Sequence, residues 1–144
     1  MRIILLILIN TVLFSNTLIA QSEKELILES SEGTPKIFAF QKTIRQVNEK
    51  VYLWTSTEYH VDNDTLSVDV IDNGLMYCTL KELYLFNIKT SEYKILSKVF
   101  IDENGITVRK TNIAEYECDW EYIEPETKQE GILNYLTEKT TNRK

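Results

Sequence analysis

Three strand-like runs separated by short turns dominate the second half of this chain. They read KELYLFNI (Lys81–Ile88), EYKILSKVFI (Glu92–Ile101) and ITVRKTNI (Ile106–Ile113). Their β-branched and aromatic residues favour strands, and such short connections can join only antiparallel neighbours. The sequence therefore predicts an antiparallel meander. Asn104-Gly105 lies between the last two runs, and because both residue types tolerate positive φ, we expect a type I′ turn there.

Alternation in the middle run predicts a half-buried strand with one apolar and one polar face. The apolar face is predicted to carry Tyr93, Ile95, Val99 and Ile101, and the other face Lys94 and Lys98.

Two further strand candidates precede the meander. KIFAF (Lys36–Phe40) is short, and KVYLWTSTEYHV (Lys50–Val61) is long and rich in aromatic and β-branched residues. Alternation in the longer run places Val51, Leu53, Thr55 and Thr57 on one face. The following segment, VDNDTLSVDVIDNG (Val61–Gly74), is rich in Asp and Asn and indicates a loop or a short edge structure.

The chain ends with a strand-to-helix transition. Asp119–Glu124 is predicted to be the last strand, and Pro125 cannot continue a central ladder because it lacks an amide proton. Thr127 and Glu130 have the spacing of a helix capping box, and an apolar stripe runs from Ile132 to Leu136. We therefore predict an α+β domain, an antiparallel β-sheet meander with a C-terminal α-helix packed on one face.

The first 20 residues are predicted to be a signal peptide. Arg2 provides a positive start, the uncharged run Ile3–Ala20 is largely apolar, and Ala20 suits the position before cleavage. An uncleaved membrane anchor is the alternative. Residues 21–144 are expected to form a single exported domain that is periplasmic, on the cell surface or secreted, and not inserted in a membrane after cleavage.

Charge and composition exclude some classes of partner. The formal net charge is −6, with 16 basic and 22 acidic residues, and the basic residues are scattered along the sequence. Binding to nucleic acid or to an anionic membrane is therefore disfavoured. An acidic surface suits solubility or a basic partner.

No catalytic, metal or cofactor template is present in the sequence. His60 is the only histidine, there is no C-x-x-C pair or G-x-S-x-G motif, and the four glycines form no phosphate loop. We expect a protein that is not an enzyme and that uses neither a cofactor nor a metal. Cys78 and Cys118 can pair in an oxidising compartment or remain two separate buried thiols, and the sequence leaves both alternatives open.

The acidic segment after the long strand is the candidate contact region for a partner. Loops on a rigid sheet often carry function, and an aromatic side chain nearby can anchor a ligand. The alternative is a solvated connection, the usual role of a charge run. The candidate contact residues are Tyr59, Asp62, Asp64, Asp69 and Asp72.

Three segments together resemble the bacterial surface-adhesin protein E family. They are TIRQVNEKVYLW (Thr43–Trp54), YLFNIKTSEYKILSKVFIDENG (Tyr84–Gly105) and WEYIEPETKQEGILNYL (Trp120–Leu136). The family's Pro-Gly-Ser appears here as Pro125-Glu126-Thr127, and the two cysteines are not in the family positions.

The resemblance implies a small exported domain in which a C-terminal helix closes an antiparallel sheet. It also implies an adhesin-like, non-catalytic role in which the domain binds a macromolecule, such as a host or matrix protein. A second hypothesis from the acidic charge is a periplasmic inhibitor or protective protein that acts on a basic hydrolase.

We expect the exported protein to begin at or near Gln21, because the uncharged run stops at Ala20. The intact mass of protein recovered after export measures this directly. A mass that retains residues 1–20, found in a membrane fraction, would contradict cleavage and favour the anchor.

Overall fold

The computed structural model describes residues 24–29, 35–61, 65–66, 69–71 and 75–141. The predicted signal peptide lies outside these residues. The strands are β1 (Lys24–Leu28), β2 (Lys36–Phe40), β3 (Arg45–Val47), β4 (Lys50–Glu58), β5 (His60–Val61), β6 (Thr65–Leu66), β7 (Asp69–Ile71), β8 (Leu75–Tyr77), β9 (Thr79–Asn87), β10 (Glu92–Ile101), β11 (Thr107–Asn112) and β12 (Glu121–Tyr122), and the helix α1 is Lys128–Thr141.

Eight of these strands form one antiparallel sheet. Its order is β1-β2-β4-β9-β10-β11, with β3 paired to β4 and β12 paired to β10. Two small hairpins, β5-β6 and β7-β8, are inserted between β4 and β9. Along the main path, neighbours follow one another in chain order apart from this insertion and the short β3, whereas β12 returns to pair with β10. The helix α1 packs against one side of the sheet. The predicted α+β meander with a C-terminal helix is confirmed.

The helix covers the face of the sheet to which alternation in β4 assigned Val51, Leu53, Thr55 and Thr57. Val51, Leu53 and Thr55 are fully buried and Thr57 nearly so. We call this side the helix face. Its apolar cluster consists of Ala39, Val51, Leu53, Tyr84, Phe86, Ile123, Ile132 and Leu136.

A bulge in β10 overturns part of the predicted alternation. Ile95 pairs with Tyr84, but Ser97 pairs with the next residue, Leu83, so Leu96 is an extra residue. One inserted residue moves every later side chain to the opposite face. Lys98 and Phe100 therefore join Tyr93 and Ile95 on the helix face, while Val99 and Ile101 lie on the other face with Lys94. The predicted faces were wrong beyond the bulge.

The β10–β11 hairpin is confirmed, but its turn is not of type I′. Gly105 has a φ of 79°, whereas Asn104 does not have a positive φ. The Asp102 carboxylate accepts hydrogen bonds from the backbone N–H groups of Asn104 (2.9 Å) and Ile106 (2.8 Å), and Gly105 N donates to Asp102 O. Because the Asp102 side chain fixes the loop, only the glycine must adopt the left-handed conformation.

The last strand is shorter than predicted, since β12 contains only Glu121 and Tyr122. The capping box before α1 is present in a modified form. Glu130 N donates to Thr127 Oγ1 (3.3 Å), but the Glu130 carboxylate accepts from Glu126 N (2.8 Å) rather than from Thr127 N. Glu126 has a φ of 60°, which turns its N–H toward the helix start.

A buried ion pair connects the start of α1 to the sheet. The Glu82 side chain is only 3% exposed and pairs with Lys128 from the helix. Lys98 Nζ lies 3.9 Å from Glu82 Oε1, and the Tyr84 hydroxyl donates a hydrogen bond to Glu82 Oε2 at 3.0 Å. Burial, with Glu82 beside it, raises the pKa of Tyr84 well above its usual value, so this hydroxyl stays protonated as a donor.

Leu136→Ala should destabilise the protein by roughly 2–5 kcal/mol, because Leu136 is fully buried between the helix and the sheet. Asn134→Ala is the matched control, since Asn134 is on the same helix and exposed. The free energy of unfolding from urea titration measures both. Equal stability of the two variants would show that the helix is not docked.

Candidate functional site

The face of the sheet opposite the helix, called here the open face, gathers basic side chains from seven strands. Side chains that alternate with the buried positions point to this side. The basic residues are Lys24, Lys36, Arg45, Lys50, Lys81, Lys94 and Lys110. The carboxylates on or beside it number one fewer: Glu29, Glu58, Glu92 and Glu115, with Glu117 and Asp119 in the same segment as Glu115. The open face is therefore slightly positive although the whole chain carries a net charge of −6.

Aromatic rings lie beneath several of these ammonium groups. Lys24 Nζ is 4.2 Å from the centre of the Phe38 ring, and Lys81 Nζ is 5.5 Å from that of Phe40. Cation–π contacts of this kind contribute about 0.5–1 kcal/mol each at exposed sites. These contacts hold the two ammonium groups above the sheet. The two lysine side chains would therefore lose less conformational entropy if they bound a ligand.

Residues 113–120, which we call the cover segment, lie over one end of the open face. The Glu115 carboxylate accepts hydrogen bonds from Lys50 Nζ (2.5 Å) and the Tyr52 hydroxyl (3.1 Å), and Lys94 Nζ donates to the Glu115 carbonyl oxygen (2.8 Å). These contacts, together with Trp120, shield the row formed by Tyr52, Leu85 and Lys94, and Leu85 is fully buried.

The cover segment also supplies Trp120, whose ring lies near two lysines. Its centre is 4.8 Å from Lys94 Nζ and 5.6 Å from Lys50 Nζ. The hydrogen bond from Lys50 lowers the pKa of Glu115, and the same bond raises the pKa of Lys50. Both groups are therefore charged at neutral pH and hold the segment in place.

The cysteines are two separate free thiols. Cys118 Sγ donates weakly to Ile95 O, and Cys78 Sγ to Ile101 O, both at 3.7 Å. These acceptors are six residues apart on β10, roughly 20 Å along a strand, which exceeds the reach of a disulfide. Of the two alternatives from the sequence, the structure contains the pair of unlinked thiols.

The residues predicted to contact a partner are not assembled into a site by the described structure. Tyr59 is half-buried, and its ring packs edge-on against Tyr77 at 5.5 Å in a small apolar cluster with Leu80. Asp69 is the first residue of β7, opposite Tyr77. Asp62, Asp64 and Asp72 lie outside the described residues. A contact through the acidic loop stays a prediction.

The sequence analysis missed the open face because its basic residues are separated by up to 86 positions along the chain. The signal that could have found it is the alternation within each strand, combined with the register between strands. Lys50, Tyr52 and Trp54 alternate with buried residues of β4 in the sequence itself.

The chemistry of the open face is that of ammonium groups and aromatic rings, which can attract and orient an anion. Within the ranges that the structure describes, no cluster of three His, Cys, Asp or Glu side chains is placed to hold a metal ion. In the same ranges, no helix is both long and apolar enough to cross a membrane.

Comparison with known proteins found no match to a protein-family profile, to a curated protein or to a solved structure. The resemblance to surface-adhesin protein E therefore stands on the sequence motifs and the order in which they occur.

We expect the cover segment to leave the open face at acid pH. Because the pKa of Glu115 is lowered from 4.5, its ionised form stabilises the attached segment above about pH 4.5, and this contribution is lost as the pH falls through the lowered value. The raised pKa of Lys50 predicts a second loss on the alkaline side, above about pH 10.5.

Trp120 fluorescence in a Trp54→Phe background measures both transitions, because the Trp120 ring contacts Lys50 and Lys94. Glu115→Gln should abolish the acid transition, whereas Glu117→Gln, an exposed change in the same segment, should leave it intact. An acid transition that is unchanged in Glu115→Gln would contradict this assignment.

Proposed function

We propose that this chain is a non-catalytic binding domain, exported by a bacterium, that recognises an anionic macromolecule through the open face of its sheet. The observation that carries this proposal is the collection of seven basic side chains on one side of an acidic protein, six of them at least partly exposed and Lys94 buried beneath the cover segment. An adhesin-like role toward a host, matrix or periplasmic macromolecule is compatible with it.

The separation of basic and acidic groups on different surfaces both attracts an anionic partner and orients it. An anionic partner is repelled by most of the surface and attracted by one face, so encounters are steered toward the open face. The ammonium groups that rest on Phe38 and Phe40 are already ordered, which reduces the entropy lost on binding.

The charge of the open face also distinguishes the two functional hypotheses drawn from the sequence, an adhesin-like domain and an inhibitor of a basic hydrolase. A basic hydrolase would be repelled by Lys81 and Lys110, neither of which pairs with a carboxylate among the described residues. An inhibitor of such an enzyme would have to bind it through another surface. The described contacts do not point to a second surface of that kind. An anionic partner is therefore the better-supported proposal.

A non-catalytic role is supported by the positions of the described titratable groups. The most buried carboxylate, Glu82, is engaged by Lys128 and Tyr84 beneath the helix, where a substrate has no access. Glu115 is bound by Lys50 and Tyr52. Neither carboxylate is positioned as a general base toward a nucleophile.

Lys110→Glu should weaken binding to polyanions by about tenfold, equivalent to about 1.4 kcal/mol, and Lys81→Glu should do the same. Arg109→Glu is the matched control, because Arg109 and Lys110 are adjacent and exposed on β11 but belong to opposite faces. Biolayer interferometry against polyglutamate, oligo(dT), dextran sulfate and polygalacturonate, at low and high salt, measures the effect.

Binding to at least one of these polymers should weaken with salt and with the two lysine changes, but little with Arg109→Glu. Equal losses for Lys110→Glu and Arg109→Glu would indicate a response to net charge and contradict a site on the open face. Failure of every polymer to bind at low salt would overturn the proposal.

A further inference from the structure

We propose that the anionic partner is a linear acidic polysaccharide that lies across the strands, with its carboxylate or sulfate groups against Lys24, Lys81 and Lys110 and a sugar ring on Trp54. This inference rests on the proposed function and narrows it to one class of ligand.

The register of the sheet places Lys81 and Lys110 in one row across the strands, and Lys24 extends this line with an offset of two residues along β1. Lys81 pairs with Val99, which pairs with Lys110, so the two lysines are two strands apart, or roughly 10 Å. Lys24 is on β1, three strands from Lys81 in the other direction and two residues along the strand from its row, or roughly 16 Å in all. Single positive charges at such intervals suit a polymer with regularly spaced anionic groups, because a compact anion could reach only one of them.

Two of the three lysines have no carboxylate partner within the described ranges. Lys81 and Lys110 form no ion pair among the described residues, and Lys110 is exposed. Lys24 pairs with Glu58, but its side chain is still 44% exposed. The centre and one edge of the line are therefore open to an incoming anion.

Trp54 provides an aromatic surface within this line. It pairs with Leu83 on the open face, diagonal to Lys81, and is half-buried. Unlike Phe38, Phe40 and Trp120, it has no described ammonium group over its ring. The C–H face of a sugar can pack on an indole ring while an acid group on the same polymer reaches the neighbouring lysine. An acidic peptide has no such rings along its backbone.

A single-stranded nucleic acid fits the open face less well. Six of the seven basic residues are lysines, whereas arginine is the usual choice for phosphate and base recognition. Binding of a single strand also relies on successive exposed rings on which bases stack. Here the rings of Phe38 and Phe40 are covered by Lys24 and Lys81.

The experiment compares polygalacturonate and dextran sulfate with neutral dextran, polyglutamate and oligo(dT) of matched charge number, by isothermal titration calorimetry at one ionic strength. The two acidic polysaccharides should bind about tenfold or more tightly than polyglutamate and oligo(dT), because only they use both the charges and the ring. Neutral dextran should not bind measurably.

Two variants separate the ring from the charges. Trp54→Leu should weaken polysaccharide binding about fivefold or more and leave polyglutamate binding unchanged. Trp54→Phe retains a ring, so it should keep most of the affinity if Trp54→Leu proves unstable in thermal denaturation. Lys81→Gln should weaken binding of all polyanions.

Equal affinity for all four polyanions, or tighter binding of polyglutamate or oligo(dT), would overturn the polysaccharide assignment while leaving the proposed function intact. Polysaccharide affinity unaffected by Trp54→Leu would also overturn it. Absence of binding to every polyanion would overturn both proposals.

Discussion

The pairing register of β4, β9 and β10 decides which side of the sheet each side chain occupies. These long strands place Val51 opposite Phe86 and Leu53 opposite Tyr84, so a continuous apolar surface faces the helix. The bulge at Leu96 then inverts the alternation of β10. Without that extra residue, Lys98 would leave the vicinity of Glu82, and Ile101 would return to the helix face.

Apolar packing supplies the energy that holds the helix, and the buried ion pair determines where the helix starts. Complete burial of Ile132 and Leu136 is worth about 1.5–3 kcal/mol each. By contrast, a buried pair such as Glu82–Lys128 contributes little net energy, because desolvation offsets the attraction. Removing one partner would leave a buried charge uncompensated, so the pair strongly disfavours other placements of the helix.

The turn into the helix shows how local strain and capping combine. Glu126 has a φ of 60°, a conformation that glycine adopts without cost. A residue with a side chain pays about 1–2 kcal/mol for this conformation. The hydrogen bond from Glu126 N to the Glu130 carboxylate partly offsets that cost. The turn therefore keeps a residue with a side chain at a left-handed position.

Alternation, turn residues and capping signals determined most of the architecture, because each depends on neighbours a few positions away. Val51, Leu53, Thr55 and Thr57 were correctly assigned to one face, which the structure shows to be the buried one, and Pro125 and Thr127 marked the helix start. The bulge at Leu96 and the role of Asp102 in its loop could not be predicted, since each is settled by contacts with the partner strand or by side-chain geometry.

The sequence by itself determined the meander from Lys81 to Ile113, the strands around Lys36–Phe40 and Lys50–Glu58, and the helix on one face, but it did not indicate β1 or β3. Only the tertiary structure decided the candidate site. Lys24, Lys81 and Lys110 are unremarkable as isolated residues in an acidic chain, and the sequence correctly shows no basic block. They become one surface because β-sheet pairing brings distant residues to within about 4.8 Å per strand and the pleat directs them to the same side.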